Sequence, residues 1–503
     1  MSVEAASGIL DRLRRAGVSP VGITADSRRV QPGDVFAAWP GSIADGRRFI
    51  GAAVERGAAA VLWDDADGFC VEGLPVPAIP APSLRRLGGH LAHLIHGRPS
   101  EKQWVVGVTG TNGKTTVTQW LAAALGRLGE RCGVIGTLGN GFPGQLADTL
   151  NTTPDALEVH RILAGFLAAG GRAATMEVSS IGLDQERVNA VAFDVAVFTN
   201  LSRDHLDYHG SMEAYGAAKA RLFALPGLGA AVINLDDAFG TDQARGLAAA
   251  GLPVIAYTQV AEHATAIHGA RVLSAQDVRM SPSGVRFVLA FEGARRELDA
   301  GVVGPFNVSN LLAVAGALLA RGLPLDDIVQ AIAQLTPPKG RMQLVGGVSE
   351  PLVVVDYAHT PDALAKVLEA VRATVATRGG RLVCVFGCGG DRDAGKRPLM
   401  GDVARQFADR VIVTSDNPRS EDPVRIVDAI MQGAGPQADR VIDRAQAIRI
   451  AVGEAAADDV IVLAGKGHEP YQEIMGVRLP FSDVEQARAA LLEWNRVRGA
   501  GKC

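Results

Sequence analysis

WVVGVTGTNGKTTVTQWLAAAL, residues 104–125, decides how the rest of the chain is read. Trp104, Val105, Val106 and Val108 form a β-prone lead-in, and Val117, Trp120, Leu121 and Leu125 follow at helical spacing. Between them lies a tight polar loop: Gly110, Thr111, Asn112, Gly113, Lys114, Thr115 and Thr116. The spacing predicts a strand, a glycine loop and a helix. Such a corner aims backbone N–H groups and the positive end of a helix at an anion, and Lys114 adds a full charge. Thr115 offers a hydroxyl to a magnesium ion held between phosphates. The strict phosphate-loop pattern asks for glycine six residues ahead of the lysine, where this chain has Val108. An ordinary strand–turn–helix corner would need Gly-Lys-Thr-Thr to fall there by coincidence, so ATP or GTP binding is the reading of this stretch.

Outward from that corner, composition sets bounds. A chain of 503 residues predicts two to four domains, each able to bury a core. Hydrophobic content of 48% with 21% charged residues is that of an ordinary soluble globular protein. A net charge of −4 argues against nucleic acid as a partner held by bulk charge. Cys70, Cys132, Cys384, Cys388 and Cys503 make no metal-ligand or redox spacing, which predicts reduced thiols and a cytoplasmic protein. Glu4 and Asp11 interrupt the apolar start, unlike a signal peptide, and the longest apolar run, 311–320, is half of a membrane span. No membrane insertion is expected.

Taken in order, residues 1–98 read as a small α/β domain with strands at 21–24, 34–38 and 58–63. Residues 96–103, HGRPSEKQ, read as a polar linker. From 99 to 336 strands and helices alternate, as in a mostly parallel sheet. Apolar runs at 173–178 and 194–199 end in polar residues, where ligands gather in such sheets. Between 271 and 303 the period becomes two, with a turn at 281–284, which predicts an antiparallel ribbon; helices at 307–321 and 325–335 follow. Residues 336–341, TPPKGR, are a second linker. The remainder, 337–503, is a Rossmann-like layer with strands at 352–356, 381–386, 410–414 and 459–463. The fold class is therefore α/β in three domains.

Several residues sit where chemistry is done. Glu177 ends an apolar strand in MEVSS, placed to hold magnesium directly or through water; a solvated strand end is the plainer alternative. His205 lies in SRDHLDYH, 202–209, which is dense in charge for a loop. Lys219 falls in a clearly helical stretch and by itself reads as a solvated helix lysine. Strand-end loops carry Arg392, Asp416, Asn417, Pro418, Arg419, Gly465 and Glu469. Two guanidinium groups and a carboxylate together suit a zwitterionic amino acid, since Arg forks take carboxylates and Glu takes an ammonium.

At this point the chain resembles the Mur ligases, ATP-dependent amide-forming enzymes of peptidoglycan synthesis. The motifs that carry the resemblance are 110–116, 176–180, 200–210, the 215–223 helix, 307–313, 340–342 and 356–363. Within the family it is most similar to the branch that adds the third peptide residue to UDP-N-acetylmuramoyl-L-alanyl-D-glutamate. DNPR, 416–419, resembles the form selecting meso-diaminopimelate over lysine.

The resemblance implies an N-terminal domain holding uridine diphosphate, with Ser27, Ser42, Ile43 and Ala44 in contact. Asn151, Thr152, Thr153, Ser179, Gln185 and Arg187 would hold the muramoyl-dipeptide. The 110–116 loop would take the ATP phosphates, with Asn307, Arg341 and Asp356 near the nucleotide. Thr115, Glu177, His205 and a carbamylated Lys219 would serve magnesium ions. Arg392, 416–419, Gly465 and Glu469 would bind diaminopimelate. The implied catalytic set is Lys114, Glu177, His205 and Lys219, working in a cytoplasmic monomer on small-molecule substrates. One departure is Ile181, where the family usually has His after Ser179 and Ser180. A lysine-adding relative, folylpolyglutamate synthase and a nucleotide-hydrolysing switch are the competing readings. The DNPR loop disfavours the first, and Ser27 with 151–153 the second; the third would hydrolyse nucleotide without an amino acid or sugar nucleotide.

Overall fold

The structure, a computed structural model, describes residues 3–41, 44–265, 267–281, 284–347 and 349–500. Ser42, Ile43, Cys503 and the middle of the expected 281–284 turn lie outside the described residues. By its internal contacts the chain forms two compact units: 1–109 with 121–197 and 218–231, and 110–120 with 198–217 and 232–503.

The first unit opens with helix Val3–Arg15 and a four-stranded parallel sheet in the order Gly22–Thr24, Asp34–Ala38, Ala60–Trp63, Ala78–Pro80. Three of these strands follow the sequence reading. The fourth is hidden in PVPAIP, whose prolines argue against a strand yet are tolerated at a sheet edge. Leu10, Leu13, Leu84, Leu87 and Leu91 pack on one face with Val35, Ala37 and Leu62. The expected 96–103 linker is corrected: 99–102 is a 3-10 turn, and Ser100 and Gln103 are buried. Ser100 Oγ accepts from Ala192 N at 3.0 Å, and Gln103 Nε2 donates to Leu163 O at 2.8 Å. Polar side chains that looked solvated satisfy buried backbone instead. Strand Trp104–Thr109 pairs in parallel with Ala173–Glu177, which pairs in parallel with Cys132–Gly136. That register sets Glu177 opposite Val108, two residues before the glycine loop.

In the second unit, strand Val254–Thr258 pairs in parallel with Ala270–Ser281. The latter joins Gly284–Phe291 and Ala294–Ala300 in the antiparallel ribbon that the period of two predicts. Helix Pro305–Ala320 is apolar almost all round and is buried accordingly. A six-stranded sheet follows in the order Gln343–Val345, Leu352–Asp356, Val460–Ala464, Leu382–Phe386, Arg410–Val413, Asp439–Arg440. All of its neighbouring pairs are parallel except the first. Val354, Leu382, Val411 and Val460 face one helical layer; Val353, Val383, Ile412 and Ile461 face the other. These near-continuous apolar runs are what a sheet covered on both faces requires, and they leave the polar chemistry to the strand ends. Among the described residues no helix is long and apolar enough to cross a membrane. Cys70, Cys132, Cys384 and Cys388 are free thiols, and burial pushes Cys384 and Cys388 up to about 12, which keeps them protonated.

Candidate active site

The glycine loop leaves strand Trp104–Thr109 at Gly110, φ +144°, where a Cβ would overlap Thr199 Oγ1. Only glycine fits that backbone and that approach. The loop is stapled to 199–202: Asn200 O accepts from Thr111 N at 2.8 Å, and Asn200 Oδ1 from Asn112 N at 3.0 Å. Thr111 Oγ1 accepts from Ser202 N at 3.0 Å and lies 3.2 Å from the Tyr215 hydroxyl. Lys114 begins helix Lys114–Arg127 and donates to Gly110 O at 2.8 Å and Thr111 O at 2.9 Å, so its ammonium lies over the loop. Arg341 Nη2 donates to Thr115 Oγ1 at 3.1 Å, and its guanidinium stacks 4.3 Å from the Tyr357 ring. Asn307 is held through Val303 O and Asn310. Asp356 accepts from Met342 N and Ala358 N at 2.7 and 2.8 Å; burial raises its carboxyl, against the pull of Arg341.

His205 has φ +53° and sets its Nε2 3.5 Å from Asp204. Asp204 is the buried hub here, with His359 Nε2 at 3.7 Å and Lys396 Nζ at 3.8 Å. Burial would raise its carboxyl, but His359, His205 and Lys396 together hold it well below the usual carboxylate range. Beside it Arg203 pairs with Asp393 at 3.2 Å. The sequence passes over Asp204, His359 and Lys396 as partners because some 150 to 190 residues separate them; the signal available was charge at two successive strand ends.

The other strand-end cluster of this unit is at 416–419 and 465–469. Asn417 Nδ2 donates to Glu469 Oε2 at 2.7 Å, and the fully buried Lys466 donates to Asn417 Oδ1 and Glu469 Oε2 at 3.0 and 3.1 Å. Gly465, φ +113°, gives way to the Asp416 carboxylate, which a Cβ would overlap. Burial first, then the Asp416 charge, raises Glu469, opposed by Lys466 and Asn417. The hairpin Tyr471–Ile474 and Val477–Pro480, missed in the sequence despite Met475-Gly476, clasps this loop. Glu473 O accepts from Arg419 N at 3.0 Å, and Gln472 Nε2 donates to Asp416 O at 2.6 Å. Arg419, φ +51°, reaches Gly390 O with Nη1 at 2.6 Å. Pro418 is buried between these contacts, whereas Arg392 is exposed and donates to Asp391 O.

In the first unit, Glu177 is almost wholly buried and accepts from Thr137 N at 2.8 Å and Thr137 Oγ1 at 3.1 Å, so the solvated strand end is ruled out. Thr152 Oγ1 lies 3.0 Å from Thr137 Oγ1. Thr153 Oγ1 donates to Glu177 O and receives Ser179 N, and Ser179 Oγ caps helix Ser180–Asp184. Arg187 joins Gln185 Oε1 to Thr153 O, at 2.7 Å each from Nη2 and Nη1. Asn151 O accepts from Thr149 Oγ1. Ser27 opens a 3-10 turn capped by Asp26, and Ala44 O accepts from Gly41 N. Lys219, in helix Met212–Ala220, is 1% exposed, which corrects the solvated-lysine reading. Small neighbours (Gly216, Ala217, Ala218) make that stretch look like a helix surface. Among the described residues no three His, Cys, Asp or Glu side chains converge as a metal cage.

Comparison with known proteins extends over the whole arrangement. Three family profiles match in order: Mur ligase family, catalytic domain, at 21–96; Mur ligase middle domain at 108–318; and Mur ligase, glutamate ligase domain, at 340–467. A protein of Chromobacterium violaceum named UDP-N-acetylmuramoyl-L-alanyl-D-glutamate--2,6-diaminopimelate ligase is 49% identical, covering 96% of this chain and 97% of its own. One of the same name from Ectopseudomonas mendocina is 53% identical over 94% and 95%. A solved structure with that name is 38% identical, covers 94% of this chain and 95% of its own, and superposes with a TM-score of 0.65. With that identity sustained along nearly the full length of such relatives, the chain belongs to the Mur ligase family.

Proposed function

We propose that the chain is an ATP-dependent ligase that joins meso-2,6-diaminopimelate to UDP-N-acetylmuramoyl-L-alanyl-D-glutamate, a cytoplasmic step of peptidoglycan precursor synthesis, and that it works as a monomer. The observation that carries the reading is the braced group of Asp416, Asn417, Arg419 and Glu469 in a chain half identical to relatives of that name. Residues 1–98 bind the uridine diphosphate, 99–336 the ATP, and 337–503 the amino acid. Ser27, Ser42, Ile43 and Ala44 serve the first; Asn151, Thr152, Thr153, Ser179, Gln185 and Arg187 hold the muramoyl-dipeptide.

The D-glutamyl carboxylate attacks the γ-phosphorus of ATP; an O–P bond forms, the bond to the β-phosphate oxygen breaks, and ADP leaves. The free amine of diaminopimelate then attacks the acyl carbon, and phosphate departs as the amide forms and the ammonium proton is lost. The chain contributes position and charge. Lys114 and the N–H groups at the start of its helix neutralise the transferring phosphoryl group, and Asn307, Arg341 and Asp356 fix the nucleotide. Arg419 pairs with the carboxylate that distinguishes diaminopimelate from lysine, while Asp416 and Glu469 take an ammonium.

Thr115, Glu177 and His205 are the residues proposed to serve magnesium, which keeps several waters and takes few protein ligands. When bound, magnesium offsets triphosphate charge. Lys219, buried in its helix, is assigned as the residue that carbon dioxide carbamylates, which turns a cation into an anion able to steady a metal ion. The test is product mass from purified protein, ATP, magnesium, UDP-muramoyl-dipeptide and each diamino acid in turn. The expected product gains diaminopimelate and appears only with every substrate present. ATP hydrolysis that needs neither acceptor nor amino acid would overturn the proposal in favour of a nucleotide switch.

A further inference from the structure

Behind the amino-acid corner lies an ion pair that none of the assigned roles uses. Arg444, first residue of helix Arg444–Gly453, and Asp483, first of helix Asp483–Ala500, are both fully buried. Arg444 Nε and Nη2 meet the two carboxylate oxygens of Asp483 at 2.8 and 2.7 Å. The same guanidinium donates to Ala464 O at 2.9 Å and Ser415 O at 3.4 Å. Those two carbonyls immediately precede Gly465 and Asp416. Ala464 ends its strand and Ser415 lies two residues past its own, and those strands are not neighbours, since Leu382–Phe386 runs between Val460–Ala464 and Arg410–Val413. One planar fork therefore ties two loops across an intervening strand and anchors both to the start of the last helix.

We infer that Arg444, held by Asp483, is a positioning residue for amino-acid recognition: it fixes the spacing of Asp416 from Gly465 and Glu469. A buried ion pair is a poor source of stability, because apolar residues of similar size often serve as well. A guanidinium does offer several donors in a fixed plane, which lysine or an apolar pair cannot. Burial would lower the Arg444 pKa, but Asp483, then Asp416 and Glu469, more than offset it, so the brace stays charged beside the carboxylates it spaces.

This inference rests on the assignment of that corner to the diamino acid. The experiment compares the full-length protein with Arg444→Lys and with the double variant Arg444→Met/Asp483→Leu, which leaves no charge stranded, using thermal melting and a KM for each substrate. Both are expected to fold, with the KM for diaminopimelate raised about tenfold in the double variant and less in Arg444→Lys, and the KM values for ATP and the UDP-dipeptide within about twofold. Should the double variant not fold, Arg444→Lys carries the same reading. Equal shifts in all three KM values, or none, in a folded variant would overturn the brace. Glu469→Gln and Arg419→Ala run alongside. If they leave the diaminopimelate KM unchanged, the site assignment falls and the brace with it; if they raise it while the Arg444 variants do not, the brace alone falls.

Discussion

The phosphate-loop corner and the amino-acid corner both sit where parallel strands end, yet they are built from different materials. The first is mostly backbone: Gly110 packed on Thr199, loop N–H groups bonded to Asn200, one lysine over the loop carbonyls. The second is mostly side-chain charge: buried Asp416 and Lys466 and half-buried Glu469, with Arg444 behind them. A triphosphate presents the same oxygens whatever the base, and N–H groups at a helix start suffice for it. Choosing between two amino acids that differ by one carboxylate needs a charge at a fixed distance. The comparison teaches that one corner should govern rate and the other choice.

The largest expected effect tests the rate side. Lys114→Ala should lower kcat about a thousandfold, roughly 4 kcal/mol of transition-state stabilisation, while changing the diaminopimelate KM little. Steady-state kinetics with saturating UDP-dipeptide would show it, and a variant turning over normally would break the division of labour. Next, Arg419→Ala should cut the preference for diaminopimelate over lysine about a hundredfold, read as the ratio of kcat/KM values, because lysine no longer leaves a half-buried guanidinium unmatched. Unchanged preference would move specificity away from this loop.

How far each corner could be read in the sequence follows the same line. Strand, loop and helix at 104–125 are local, and a period of two or 3.6 survives without tertiary help; so do the ribbon at 271–303 and the apolar strands of the last sheet. Residues that gain their meaning from distant partners could not be read that way. Lys219 looks solvated and is buried; Ser100 and Gln103 look like linker and satisfy buried backbone. Arg444 and Asp483 look like ordinary helix-start charges, and only the crossing of three strands brings them together. The fold class was legible because burial repeats along the chain. The braces were not, because a charge pair 39 residues apart leaves no period.

A smaller effect separates the corners by pH. Glu469 takes an ammonium only when ionised, and its carboxyl is raised above the ordinary glutamate value by burial and by Asp416. The KM for diaminopimelate should therefore rise as pH falls through that raised value, by at most about tenfold per unit. Glu469→Gln should flatten this dependence and leave that of the ATP KM as it was. Parallel flattening of both would mean that the corners do not act separately.

The smallest effect comes from a third place, where a buried titratable group faces no ligand role. His160, in helix Ala156–Ala168, is fully buried; its Nε2 donates to Asn189 O at 2.9 Å, and its ring lies 5.2 Å from that of His93. Burial, with the neighbouring histidines adding to it, pushes its pKa down to about 3. The unfolded chain takes up this proton near pH 6.5 and the folded chain does not, so stability is lost as pH falls below 6.5. At pH 6 the loss from this one group is about 0.8 kcal/mol. Urea unfolding at pH 7.5 and 6 should show it, and His160→Phe should shrink the difference between the two. Because protonation here acts on folding alone, the kinetic pH dependence assigned to Glu469 should survive in His160→Phe; if it vanishes with the histidine, the amino-acid corner is not where that proton goes.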